Sequence, residues 1–138
     1  MQNVLFICTH NSSRSQMAEA FLNKFFSDKY KGFSAGTVRA HINPNSITVM
    51  KELGIDISKQ HSKSIKELPD NLSFDYVVTL CDKANESCPI FPGNVTRVHK
   101  DFTDPSSFTG DQEEILTKFR MVRDNIAKWV KSYFSRKN

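Results

Sequence analysis

Hydrophobic and polar positions along the chain fall into short blocks that alternate between two periods. Val4, Leu5, Phe6 and Ile7 form an unbroken β-favouring apolar run, the pattern of a parallel strand covered on both faces. A polar stretch follows. From Ser15 onward Met17, Ala18, Phe21, Leu22, Phe25 and Phe26 recur at three- and four-residue spacing, which predicts an amphipathic helix ending near Asp28. Residues 32–36 read as a second short strand, and residues 44–53 as a helix with Pro44 in its first turn and Gly54 at its C-cap. A mostly apolar run over residues 74–80 predicts a central strand that delivers Cys81 at its carboxyl end, and residues 94–98 form a fourth strand candidate. Ile115, Phe119, Val122, Ile126, Trp129, Val130 and Tyr133 lie at helical spacing, so the last segment is expected to pack on the sheet with Trp129 in the core.

Alternating strands and helices imply an open α/β fold: a parallel sheet of about four strands with helices on both faces and ligands collecting at the carboxyl ends of the strands. A length of 138 residues suits one compact domain spanning residues 1–138. At that size the core needs neither disulfide staples nor a structural metal.

The longest strongly apolar run is far shorter than a membrane span and begins too close to Met1 for a secretory leader, so a soluble cytoplasmic protein is expected. Its three cysteines cannot close a disulfide framework and form no C-x-x-C knuckle, which leaves catalytic or redox thiols, or inert buried ones. The net charge of +4 favours anionic partners. Lys59, Lys63 and Lys66, and Lys128, Lys131, Arg136 and Lys137, are not interleaved with aromatics and read as solvated surface rather than a nucleic-acid platform.

The densest chemistry lies between the first strand and the first helix. Cys8-Thr9-His10-Asn11-Ser12-Ser13-Arg14-Ser15 places a cysteine six positions ahead of an arginine. A bare C-x5-R is weak, but a strand before it and a helix after it raise its value. Unpaired amides at a helix N-terminus, under a loop bent over them, form a nest for a tetrahedral oxyanion. Thr9, His10, Asn11, Ser12 and Ser13 would build that nest, and Asn11 can take left-handed backbone angles. Cys8 at its floor would feel the helix dipole and Arg14, both of which favour thiolate. Arg14 offers a planar fork for two oxygens of the anion, and Ser15 could donate its hydroxyl to the Cys8 sulfur. Asp101 and Asp104 follow the fourth strand, and Asp104-Pro105 sets one carboxyl in a rigid turn from which it could protonate a leaving oxygen. No second pair of residues at ligand spacing accompanies Cys8 and His10, so no metal site is expected.

Cys81 and Cys88 flank a polar stretch that Pro89 closes, consistent with a short helix. Seven residues of helix rise about 10.5 Å, whereas a disulfide needs Cα atoms within roughly 4.4–6.8 Å. Either these thiols never pair, or pairing unwinds the segment.

The run from Cys8 to Ala20, with Val77-Val78-Thr79-Leu80-Cys81, Cys88-Pro89 and Asp104-Pro105, resembles the thioredoxin-coupled arsenate reductases built on the low-molecular-weight tyrosine phosphatase fold, nearly end to end. The first motif is shared with the phosphatases, while the Cys81 and Cys88 pair is peculiar to the reductases. The resemblance implies that Cys8 attacks arsenate while Arg14 and the loop hold its oxygens and Asp104 protonates the departing hydroxyl. Cys81 then attacks Cys8, arsenite leaves, Cys88 attacks Cys81, and thioredoxin or a similar dithiol protein reduces the resulting disulfide. A monomer with no resident cofactor is implied. Some relatives hold a monovalent cation beneath the loop; Asn11, Glu19 and Ser34 match part of that site, but Ser64 stands where an Asp would complete it. Many relatives also carry Gly at the place of His10 and a further Cys at that of Ser13.

The competing reading is a phosphatase of the same fold, which would use Cys8, Arg14 and Asp104 with water as the second nucleophile. Those enzymes usually place aromatics just after the Asp-Pro, where Ser106 and Ser107 stand here. An anion-binding module without turnover is a third reading, disfavoured because a binder has no use for a thiolate.

Overall fold

Among the described residues, 1–135 of the computed structural model, four parallel strands form the sheet: β1 (Gln2–Cys8), β2 (Tyr30–Gly36), β3 (Tyr76–Thr79) and β4 (Thr96–His99), in the order β2-β1-β3-β4. Helices α1 (Arg14–Phe25), α2 (Pro44–Lys51), α3 (Asp82–Ser87) and α4 (Gln112–Ser135) pack around it. Arg136 and Lys137 of the C-terminal basic group lie outside the described residues. No helix among the described residues is long and apolar enough to cross a membrane.

Consecutive burial from Val4 to Cys8 on β1 requires cover on both faces of the sheet. The expected apolar stripe of the last helix becomes the buried face of α4, with Phe119, Val122, Ile126, Val130 and Phe134 inside. Phe134 meets Phe6, Tyr30 and Tyr76 edge-on. Trp129 is only half-buried, stacked on Tyr133 and edge-on to Phe102, rather than in the core as its spacing suggested. Two guanidiniums join α2 to α4: Arg120 and Arg123 both bond the Glu52 carboxylate, and Arg123 Nη1 also donates to the Val49 carbonyl at 2.8 Å.

Element ends differ from the periodicity by a few residues, each for a local reason. Helix α1 stops at Phe25 because Phe26 leaves helical geometry and turns edge-on to Tyr30. Strand β2 starts at Tyr30, two residues before the expected start, because its buried ring belongs to the aromatic core and its backbone pairs with Gln2. Strand β3 runs from Tyr76 to Thr79 rather than over the expected residues 74–80, since the chain bends after Thr79 to enter α3, although Leu80 still donates to the Ile7 carbonyl. Helix α2 ends at Lys51 with Glu52 at its C-cap, two residues before the expected end, and the expected glycine closes the turn just beyond it: Gly54 takes a φ of +76°, its N–H bonds the Lys51 carbonyl, and Ile55 bonds that of Met50.

This topology positions the site. The chain steps from β1 outward to β2, then returns to the other side of β1 for β3, so the strand order reverses between β1 and β3. At such a reversal the loops leaving two adjacent strands diverge and open a crevice at their carboxyl ends. The loop after β1 begins at Cys8, and the one after β3 contains Cys81.

Candidate active site

The loop from β1 to α1 is held from beneath by one buried asparagine. Asn11 is fully buried at a φ of +52°. Its Oδ1 accepts from the Lys63 backbone N–H at 3.0 Å, and a backbone N–H can only donate, so Nδ2 must point the other way. There it donates to Ser15 Oγ at 2.8 Å. With its oxygen already accepting, Ser15 is free to donate its own hydrogen to Cys8 Sγ, 2.9 Å away. Gln16 completes the support, donating to the Asn11 carbonyl and to Oδ1 and accepting from Gln60 at 2.6 Å.

Gly36, the β2 partner of Cys8, lets the loop approach this closely. A Cβ there would stand 2.7 Å from the Thr9 carbonyl and 2.8 Å from the Asn11 nitrogen. Above this frame a cavity of about 170 Å³ is lined by Cys8, His10, Ser12, Ser13, Arg14 and, from outside the loop, His41, Asn43, Asp104 and Ser106. Ser13 precedes α1 without capping it through its side chain, so the helix's first amides stay open to an anion.

Arg14 is nearly buried; its Nη1 donates to the Phe102 carbonyl at 3.1 Å, and Nη2 lies 3.7 Å from Asp104 Oδ2. The other Asp104 oxygen accepts from the Ser106 N–H and hydroxyl, at 3.0 and 2.8 Å. Oδ2 is thus the Asp104 atom that turns toward Arg14. Asp101 is exposed and does not line the cavity.

The structure brings together most of the residues expected from the sequence. Cys8, Arg14, Asp104, His10, Ser12 and Ser13 line one cavity, while Asn11 and Ser15 lie under it. Thr9 faces elsewhere: its Oγ1 is 3.4 Å from Cys81 Sγ, so the second thiol abuts the residue next to Cys8 without lining the cavity. Cys81 is buried at the N-cap of α3, Cys88 is half-buried at its C-cap, and all three cysteines are free. Burial pushes the Cys88 thiol above its ordinary range, opposed by the charge of Arg97.

Lys63 departs from the solvated role expected of its basic group, whereas Lys59 and Lys66 are exposed. Its backbone clamps Asn11, and its half-buried ammonium is pulled below the ordinary lysine range by desolvation, against the charges of Glu19 and Glu67. Beside it Glu19 accepts a 2.6 Å bond from Ser34, and burial raises its carboxyl despite Ser34, Lys63 and His61. Ser64 is the N-cap of the short turn Ile65–Glu67, its N–H donating to the Glu67 carboxylate.

Sequence reasoning missed the far wall. Ala40, His41, Asn43 and Pro44 reach the cavity because Asn43 N–H bonds the Ser12 carbonyl at 3.0 Å and Ser62 Oγ bridges His10 and Ala40. Asn43-Pro44 is legible only as a helix start, since nothing local says which loop it will meet.

Comparison with known proteins covers nearly the whole chain. A family model described as low molecular weight phosphotyrosine protein phosphatase matches residues 3–137. The arsenate reductase of Halalkalibacterium halodurans is 46% identical over 131 residues, covering 94% of this chain and 93% of the relative. That of Bacillus subtilis is 43% identical with the same coverage. Among solved structures, an arsenate reductase in an oxidized state superposes with a TM-score of 0.79 at 32% identity over the full length of both chains. A low molecular weight protein tyrosine phosphatase from T. tengcongensis superposes at 0.77 over 99% of each chain at 22% identity, a likeness of fold.

Proposed function

The chain belongs to the low molecular weight phosphotyrosine protein phosphatase family, and within it we propose that this protein is an arsenate reductase that works through Cys8, Cys81 and Cys88. The observation that carries the reading is the placement of Cys81 against Thr9, one residue from the sulfur on the cavity floor. A hydrolase needs only water at that place.

In this reading arsenate enters the cavity with its oxygens on the open amides of α1 and the Arg14 fork. Cys8 attacks arsenic, an As–O bond breaks, and Asp104 gives the departing hydroxyl its proton. The sulfur of Cys81 then attacks that of Cys8. A sulfur–sulfur bond forms, the sulfur–arsenic bond breaks, and its electron pair leaves with arsenic as arsenite. Cys88 next displaces Cys8 from Cys81. The resulting Cys81–Cys88 disulfide takes two electrons and two protons from a dithiol protein, thioredoxin or one of similar chemistry. The reading takes the protein as a monomer of the cytoplasm, where thiols are kept reduced.

The first step is shared with phosphomonoester hydrolysis, and the same cavity should retain weak phosphatase activity. Ser106 at the wall, where an aryl ring would want an aromatic partner, keeps that activity secondary. The deciding assay is arsenite release by purified protein with thioredoxin, its reductase and NADPH. Cys81→Ser and Cys88→Ser should abolish repeated turnover and leave hydrolysis of a small aryl phosphate largely intact, whereas Cys8→Ser should remove both. Native arsenite production by both of the first two variants would overturn the relay.

A further inference from the structure

Helix α3 has six residues, far too few to persist unaided, so something must hold it wound. Ala84 is its one buried residue. Besides the packing of Cys81 and Cys88 at its two ends, an anchor is a chain of polar contacts starting at the carboxyl ends of two strands. Thr79 and His99 close β3 and β4 and are register partners. His99 Nδ1 lies 2.8 Å from Thr79 Oγ1, and His99 Nε2 lies 2.8 Å from Asp82 Oδ1 in the first turn of α3. Thr79 Oγ1 is also 3.3 Å from Asn85 Oδ1, in the next turn. The Asp82 carboxylate can only accept, so Nε2 carries a hydrogen and donates. Nδ1 then accepts the one hydroxyl hydrogen of Thr79, which Asn85 Oδ1 does not share, so the chain runs from Thr79 through His99 to Asp82.

We propose that His99 is a positioning residue for the thiol relay: through Thr79 and Asp82 it ties α3 to the sheet, keeps Cys81 buried against Thr9, and opposes the unwinding that the Cys81–Cys88 disulfide requires. The inference rests on the relay reading above. An intact helix keeps these thiols too far apart to bond, so forming the disulfide must break the tether. Energy stored in a broken tether makes the disulfide easier to reduce, which favours regeneration by a partner dithiol. The Asp82 carboxyl is largely exposed, so the effect is modest.

The test equilibrates the reduced protein with a dithiothreitol redox buffer. The two thiols lose two electrons and two protons to oxidised dithiothreitol, and the linked Cys81–Cys88 peptides are quantified after alkylation. Asp82→Ala and His99→Ala should each shift the equilibrium about five-fold toward disulfide, the factor expected of one net hydrogen bond, or about 20 mV for a two-electron couple. The double variant should shift it no further than the larger single change. Asp82→Asn, which keeps an acceptor for Nε2, should stay near the wild-type value. Inorganic phosphate affinity, a check on the folded loop, should be unchanged throughout. A wild-type disulfide with an unshifted equilibrium in Asp82→Ala, or additive effects of the two alanines, would overturn the tether alone. Failure of the wild type to form this disulfide would overturn the relay and the tether with it.

Discussion

The hydroxyl of Ser15 sits 2.9 Å from the sulfur of Cys8, and with its oxygen accepting from Asn11 its hydrogen is free to point at that sulfur. The orientation of the Asn11 amide is set 52 residues along the chain from it, by the backbone N–H of Lys63. A bond donated to a sulfur that carries charge belongs to the stronger class of hydrogen bond.

Replacing Ser15 with Ala removes that donor while leaving the cavity walls in place. Alkylation of Cys8 by iodoacetamide at neutral pH should slow by about 10- to 100-fold, the range for a hydrogen bond to a charged group. Arsenate turnover should fall with it, and stopped-flow measurement of both rates checks the link.

Gly36 makes room for the loop rather than for a turn. In Gly36→Ala the new methyl would overlap the Thr9 carbonyl and the Asn11 nitrogen, so backbone must move. Overpacking of this kind costs about 1–3 kcal/mol. Urea unfolding should report that loss, and calorimetry should show weaker phosphate binding, because the displaced atoms belong to the anion loop.

The Glu52 carboxyl is held below its ordinary range chiefly by the hydrogen bond from Arg120, which outweighs the opposing desolvation, with Arg123 adding to it. A carboxyl depressed in the folded state contributes stability above its unfolded pKa and loses it as pH falls through the lowered value. Glu52→Gln should therefore lower Tm by a few degrees at pH 7, and the gap to wild type should close on acidification toward pH 3. A gap that stayed constant with pH would mean that charge at Glu52 contributes nothing.

Half-buried in the reduced fold, Cys88 has its thiol raised above the usual range by desolvation. Its alkylation at pH 7.5 should be slower than that of a free cysteine and should keep rising past the pH at which an ordinary thiol levels off. Unfolding in urea should abolish the difference. In the relay proposed above, this would keep Cys88 unreactive while α3 stays wound.

How much of this was legible beforehand depends on the distance over which each signal acts. Val4 to Ile7 could only be a buried strand, and the stripe from Phe119 to Val130 only a packed helix face, because both patterns repeat within a few residues. The loop from Cys8 to Ser15 was legible for the same reason: cysteine, arginine and helix start are contiguous. Trp129 and Lys63 were misjudged because their spacing and charge say nothing of what folds against them.

The chain by itself determined its alternating α/β order, the polar loop from Cys8 into α1, and the three thiols with a short helix between two of them, since each is written in neighbouring residues. Tertiary structure alone decided that Lys63 orients Asn11, that Asn43 and His41 close the cavity, and that His99 reaches Asp82. These contacts join segments 17 to 52 residues apart or separate loops of one crevice, where one polar residue looks like any other until the reversal of strand order brings its partner within bonding distance.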